Sequence, residues 1–175
     1  MFAVTGITGK VGAAVARSLL SADRPVRAVT RARSNASAWA HLGCDIAVAD
    51  LADPEALAAA FEGTEAVFAL VPPIFDPTPG FPEATGFINT LCTALARAKC
   101  PRVVALSTIG ADAPHPNLLQ ALGRMEEIFS DLPMPVTFLR AAWFMENAAG
   151  DMAAARDTGV VTSYLQPLEI GRAHV

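Results

Sequence analysis

Short apolar runs alternate along this chain with stretches in which apolar positions recur at helical spacing. Phe2–Thr5 reads as a strand, and Lys10–Ser21 follows as a helix with Val11, Val15 and Leu19 on one face. Pro25 precedes a second strand, Val26–Thr30; Ser34–Leu42 reads as a short helix and Asp45–Val48 as a third strand. Asp53-Pro54-Glu55 predicts a helix start, with Asp as N-cap, Pro at the first helical position and Glu in the first turn. That helix runs to Phe61 and stops at Gly63. Ala66–Val71 is the fourth strand, and Pro72–Pro82, with five prolines and one glycine, predicts an ordered but irregular loop beyond its end. A helix over Glu83–Lys99, a strand over Arg102–Ser107, a second Pro-rich loop at 111–117, a helix over Leu118–Ser130 and a strand over Val136–Leu139 complete the series. After about residue 155 the pattern fails.

Six strands separated by helices of crossover length predict an α/β fold with a doubly wound parallel sheet. The expected strand order is 3-2-1-4-5-6, with ligand bound at the carboxyl ends of the strands where the order reverses. Composition agrees: 53% of residues are hydrophobic and 17% charged, which suits helices packed on a buried parallel sheet. The 175 residues suffice for one core. A net charge of −4 with scattered Lys and Arg gives no electrostatic footprint for nucleic acid or an anionic membrane. Neither a signal peptide nor a bilayer-spanning apolar run is visible. Cys44, Cys92 and Cys100 have no metal-type spacing, so no metal is expected; they read as reduced core thiols of a cytoplasmic protein.

The chemistry is concentrated after the first strand. Thr5-Gly6-Ile7-Thr8-Gly9-Lys10-Val11-Gly12 has G-x-x-G-x-x-G spacing and opens a helix. Gly6 suits a tight turn off the strand, Gly9 admits a pyrophosphate close to backbone, and Gly12 lets the helix approach the sheet. The helix N-terminus offers free N–H groups to phosphate, with Thr8, Lys10 and Val11 beside it. In this strand–turn–helix context the motif predicts a Rossmann-type dinucleotide site. The end of strand two selects the cofactor. An acidic residue there would bond the ribose 2′-hydroxyl of NAD, but Ala28-Val29-Thr30-Arg31-Ala32-Arg33 has none. Arg31 and Arg33 match a 2′-phosphate in geometry and charge, so NADP(H) is expected over NAD(H); the competing possibility is two solvated loop arginines. Asp50 and Leu51, after strand three, suit the adenine amino group and ring, although Asp50 equally suits a turn that bonds its own backbone. Leu70, Val71 and Pro72 close strand four beside the crevice and would wall the adenosine side; a plain strand terminus explains them as well.

These segments resemble the NmrA-like group of atypical short-chain dehydrogenase/reductases. The similar pieces are Val4–Gly12, Val26–Arg31, Ala49–Pro54, Leu106–Ala111 and Pro135–Arg140 followed by Phe144-Met145-Glu146-Asn147, together covering residues 1 to about 150. The resemblance implies a Rossmann domain that binds NAD(P)(H), in a group holding quinone or other reductases as well as redox sensors without turnover. It also implies that Ser107 and Thr108 sit near the nicotinamide ribose, and that Phe144 and Asn147 border a substrate cleft.

The sequence departs from that pattern at the proton donors. Ordinary short-chain dehydrogenases use Tyr-x-x-x-Lys, but the single tyrosine, Tyr164, has no lysine four residues on. Many NmrA-like enzymes carry a lysine four residues ahead of a glutamate before strand six; alignment on Glu126 puts Leu122 there, with Arg124 the nearby cation. Ser107 and His115 are the remaining candidates for catalysis, His115 as a proton shuttle or simply as a solvated loop residue. The expected function is an NADP(H)-dependent oxidoreductase reducing a quinone or small carbonyl, with a quinone able to take its proton from water. The alternative is a nucleotide-sensing regulator acting on a partner protein; the apolar Trp143, Phe144 and Met145 favour an enzyme or serve as core packing. A sugar-nucleotide epimerase would also require the absent tyrosine–lysine pair.

The expected domain organisation is a Rossmann domain over 1–158 and the start of a truncated substrate-side lobe over 159–168. Residues 169–175 resemble an in-frame translated sequencing adapter and are expected to be a non-native tail.

Overall fold

The computed structural model describes residues 1–160 except 75, 115, 116, 118 and 143. His115, Trp143, Tyr164 and the 161–175 portion of the expected lobe and tail therefore lie outside the described residues. The chain divides into two units, Met1–Ala141 and the segment from Ala142 onward.

The first unit is a parallel six-stranded sheet of order β3-β2-β1-β4-β5-β6, with β1 Phe2–Val4, β2 Val26–Thr30, β3 Asp45–Val48, β4 Ala66–Ala69, β5 Val103–Thr108 and β6 Val136–Ala141. Its order is the one the alternation predicts, with the reversal between β1 and β4. The crossover helices are α1 Lys10–Ser21, α2 Ser37–His41, α3 Pro54–Phe61, α4 Pro82–Arg97 and α5 Gln120–Ser130. Asp53 caps α3 as expected: its Oδ1 accepts from the N–H groups of Glu55 and Ala56, both at 3.0 Å.

Two apolar layers hold the helices to the sheet. On one face Leu57 and Phe61 of α3, Ile88 and Leu91 of α4, and Met125 and Phe129 of α5 pack on Val67, Val103 and Ala105. On the other, Ala16 of α1 and Trp39 of α2 pack on Val4, Ala28 and Phe68. Central strand β4 is buried along its length, which explains why it reads as an unbroken apolar run.

Several boundaries differ from the sequence expectation. The segment expected as a helix over Ser34–Leu42 begins with a 3₁₀ turn, Arg33–Ala36, and becomes α-helical only at Ser37. β4 stops at Ala69 rather than Val71, because the Leu70 N–H turns to the Thr5 hydroxyl at 2.9 Å. β6 continues two residues past Leu139, through Arg140 and Ala141, where the ladder with Ser107 and Thr108 carries it on. In the second unit a 3₁₀ segment, Met145–Asp151, leads into α6 Met152–Thr158, which ends on Gly159 in the left-handed region. No helix among the described residues is long and apolar enough to cross a membrane.

Candidate functional site

Because all six strands are parallel, their carboxyl ends share one edge of the sheet, and residues scattered through the sequence meet there. The Gly6–Gly12 turn follows β1, Arg31 follows β2, Asp50 and Leu51 follow β3, Leu70–Pro72 follow β4, and Ser107 and Thr108 end β5. The structure thus gathers every residue singled out for the cofactor on one side of the sheet.

The turn after β1 is a cradle made by missing side chains. Gly6 has φ +62°, the left-handed region, and a Cβ there would stand 3.2 Å from Leu70 Cδ2. Gly12 is buried in the first turn of α1, where a Cβ would stand 2.3 Å from the Gly6 carbonyl oxygen. The helix therefore rests against the backbone of the turn, as the motif requires. Gly9 is the N-cap of α1, and no side chain caps it. Its N–H donates to Gly6 O at 2.9 Å and its carbonyl accepts from Ala13 at 3.0 Å, closing the turn within backbone. The N–H groups of Lys10, Val11 and Gly12 have no acceptor among the described residues, and Thr8, Gly9 and Lys10 are exposed around them. An open, uncapped helix start with three free donors fits a pyrophosphate.

Thr5, at 2% exposure, supports the cradle from beneath. Its hydroxyl donates to Phe68 O at 3.1 Å and accepts from Leu70 N–H at 2.9 Å, while its own N–H donates to Phe68 O at 3.0 Å. The two strands flanking the topological reversal are joined there by one side chain. Sequence reading placed Thr5 in the motif without a role; its burial between a donor and an acceptor becomes visible only once β1 and β4 are neighbours.

Arg31 and Arg33 are exposed just past β2, and among the described residues neither guanidinium has an ion-pair or hydrogen-bond partner. Arg27, one turn of the pleat earlier, behaves differently: it pairs with Asp45 at 2.6 Å and donates to the carbonyls of Ala60 and Glu62 at the end of α3. Asp50 forms the turn weighed for it, with Oδ1 accepting from Ala52 N–H at 2.8 Å, and its other oxygen remains exposed. Leu51 is half-buried beside it; Leu70 and Pro72 are half-buried and Val71 buried along the β4 side.

At the β5 end, Ser107 is 2% exposed and its hydroxyl donates to Glu126 Oε1 at 2.5 Å. Glu126, on α5, is held by Arg140 of β6 through Nε at 2.9 Å and Nη2 at 2.6 Å, and Arg140 Nη1 reaches Asp112 at 2.7 Å. Arg140 holds the carboxyls of both Glu126 and Asp112 below their ordinary range, against the opposing effect of burial, and is itself shifted upward by them. Sequence reading missed this cluster. Arg124, the cation nearest Glu126 along the helix, instead pairs with Glu127 at 2.8 Å, and the cation that holds Glu126 comes from β6. Thr108 is half-buried, with its hydroxyl donating to the carbonyl of Ile109.

In the second unit Phe144 is half-buried and Asn147 exposed, with the Asn147 N–H donating to Phe144 O at 2.9 Å. The described cysteines are unpaired; burial pushes the Cys44 and Cys92 thiols up.

A doubly wound sheet with a glycine cradle and an open helix start at the strand reversal defines a nucleotide-binding α/β protein. The chain belongs to the NAD(P)H-binding family, whose model matches residues 6–175. It is 30% identical over 173 residues to the NAD(P)H azoreductase of Xenophilus azovorans, covering 98% of this chain and 57% of that protein. Quinone oxidoreductase 2 of Escherichia coli is 28% identical over 163 residues, covering 91% of this chain and 54% of the relative. Among solved structures, the NADPH-dependent quinone oxidoreductase of Escherichia coli complexed with NADPH matches with a TM-score of 0.79 at 26% identity, over 91% of this chain and 55% of that one. The Citrobacter triphenylmethane reductase complexed with NADP(H) shares the fold, with a TM-score of 0.74 at 22% identity over 87% of this chain and 55% of that one. The chain spans about half the length of the curated relatives it matches.

Proposed function

We propose that this chain is the nucleotide-binding part of an NADPH-dependent reductase acting in the cytoplasm on a quinone or small carbonyl. The observation that carries the proposal is the uncapped start of α1, seated on the Gly6 turn at a point where a Cβ on Gly12 would hold it off. The free N–H groups of Lys10, Val11 and Gly12 would hold the pyrophosphate, with Gly6, Thr8 and Gly9 leaving it room. Arg31 and Arg33 would take the 2′-phosphate, supported by their exposure and lack of other partners among the described residues. The free oxygen of Asp50 and the side chain of Leu51 would meet the adenine, Leu70–Pro72 would wall the adenosine side, and Ser107 and Thr108 would border the nicotinamide ribose. Phe144 and Asn147 would border the substrate. Reduced nicotinamide, when bound, supplies a hydride; this chain's residues bind and orient it. The activities named for the azoreductase and quinone oxidoreductase relatives support a reductase over a sensor.

Titration with NADPH and NADH, followed by NADPH oxidation against a quinone panel, tests this. NADPH is expected to bind about tenfold more tightly than NADH, with Arg31→Ala removing most of that difference, as one charge-assisted phosphate contact allows. Equal affinity for both, untouched by the substitution, overturns the NADPH preference. Tight binding with no oxidation of any acceptor by the full-length protein assigns the sensing role instead.

A further inference from the structure

Four separate elements are fastened together beside the β5 end of the crevice. Ser107 of β5 donates to Glu126 of α5; Glu126 takes two donors from Arg140 of β6; and Arg140 extends its third to Asp112 in the loop that follows β5. The same loop is anchored twice more by backbone. Ile109 N–H donates to Ala141 O at 3.0 Å, and α5 abuts the loop so closely that a Cβ on Gly123 would stand 2.2 Å from Ala111 O. Yet among the described residues the loop's only charged attachment is the one to Arg140, and Ser107 has no polar side-chain partner but Glu126.

We propose that Arg140 is a positioning residue for the nicotinamide side of the site, acting through Glu126 on Ser107 and through Asp112 on the 109–113 loop. This rests on the NADPH-binding function proposed above. The arrangement also assigns a hydrogen-bond polarity. Arg140 keeps Glu126 ionised, so the proton between Ser107 and Glu126 belongs to the Ser107 hydroxyl and is engaged by the carboxylate. What Ser107 can offer a ligand is then lone pairs. It accepts from a ribose hydroxyl or a carboxamide N–H, and it is not the proton source for the reduced substrate. Two carboxylates take three of the five N–H donors of Arg140 and more than neutralise its charge, which separates it from Arg31 and Arg33.

The adenosine and nicotinamide halves of the cofactor can be probed separately. Calorimetric titrations of the chain with NADPH and with 2′,5′-ADP, which carries the adenosine half and the 2′-phosphate alone, are compared for wild type, Arg140→Gln, Arg140→Lys and Glu126→Gln. Arg140→Gln and Glu126→Gln are expected to weaken NADPH by about tenfold while 2′,5′-ADP stays within about twofold, the size of a lost charged hydrogen bond. Arg140→Lys should recover part of the loss, because an ammonium keeps the charge without the bidentate grip. Equal weakening of both ligands in all three variants means a general structural role and overturns the inference, as does no change in either. Wild type that binds neither ligand overturns the nucleotide function itself, and this inference with it.

Discussion

At the scale of single residues, the site is governed by where a Cβ can stand. Gly12 and Gly9 have different roles in the motif, and they differ in space accordingly. At Gly12 the added carbon would meet the carbonyl oxygen of Gly6 at 2.3 Å and its carbon at 2.6 Å, both backbone atoms that cannot swing aside. At Gly9, exposed at the mouth of the cradle, the nearest atom would be the Gly6 carbonyl oxygen at 3.3 Å, a contact that a shift of a few tenths of an ångström relieves. Gly12→Ala is therefore expected to destabilise the chain by about 1–3 kcal/mol, the usual cost of overpacking, and to abolish NADPH binding by prising α1 off the turn. Gly9→Ala should leave stability within about 0.5 kcal/mol while still weakening NADPH, since its carbon enters the space left for phosphate. Thermal denaturation with parallel NADPH titration separates the two; a Gly9→Ala protein that binds normally would mean the open space over the turn is not where phosphate sits. These glycines were legible in the sequence because strand, turn and helix are consecutive. Thr5 and Arg140 were not, since their partners lie 63 or more residues away for Thr5 and at least 14 for Arg140.

At the scale of elements, local chemistry marked most boundaries and long-range contacts moved the rest. Asp53 and Pro54 announce α3 because capping is a contact between near neighbours. β6 was read two residues short because Arg140 breaks an apolar run; the residue is exposed on the edge strand, where it pairs with Glu126 and Asp112. That pairing has a pH consequence. The groups facing the Arg140 guanidinium are Asp112 from the loop after β5 and Glu126 from α5, which also carries the Arg124–Glu127 pair; Ser107 faces Glu126 from β5. The Glu126 and Asp112 carboxyls are both lower in the folded chain than their ordinary values. Their contribution to stability is thus complete above the ordinary carboxylate range, about 4 to 4.5, and is lost as pH falls through the lowered folded values. Arg140→Gln should accordingly show a shallower loss of stability between about pH 5 and pH 2 than wild type, measured as denaturant midpoints across that range. Parallel wild-type and variant curves would show that other carboxylates dominate the acid limb.

At the scale of the whole molecule, the alternation of apolar runs was enough to give the sheet and its order, because a parallel strand buried on both faces must be apolar throughout. It also pointed to the edge that holds the candidate site, since parallel strands present all their carboxyl ends on one edge. What it did not give was how firmly that edge is held: Thr5 locks it at the reversal, and Arg140 ties β6 to α5 and to the loop after β5. An edge built this way is already formed before ligand arrives, so little of the binding free energy should be spent on ordering it. Binding then appears as added stability set by the observed Kd. At a hundredfold excess over its Kd, NADPH would stabilise the folded chain by about 2.7 kcal/mol, which for a chain of this size raises the unfolding midpoint by about 5–10 °C. NADH at the same concentration should give a clearly smaller rise, because nothing on it engages Arg31 and Arg33, and 2′,5′-ADP should give most of the difference by itself. Scanning calorimetry with the three ligands reads all of this at once. Identical midpoints with NADH and NADPH would remove the arginines from the site; a rise with NADPH alongside none with 2′,5′-ADP would move the main binding contacts away from the β2 end and toward Ser107.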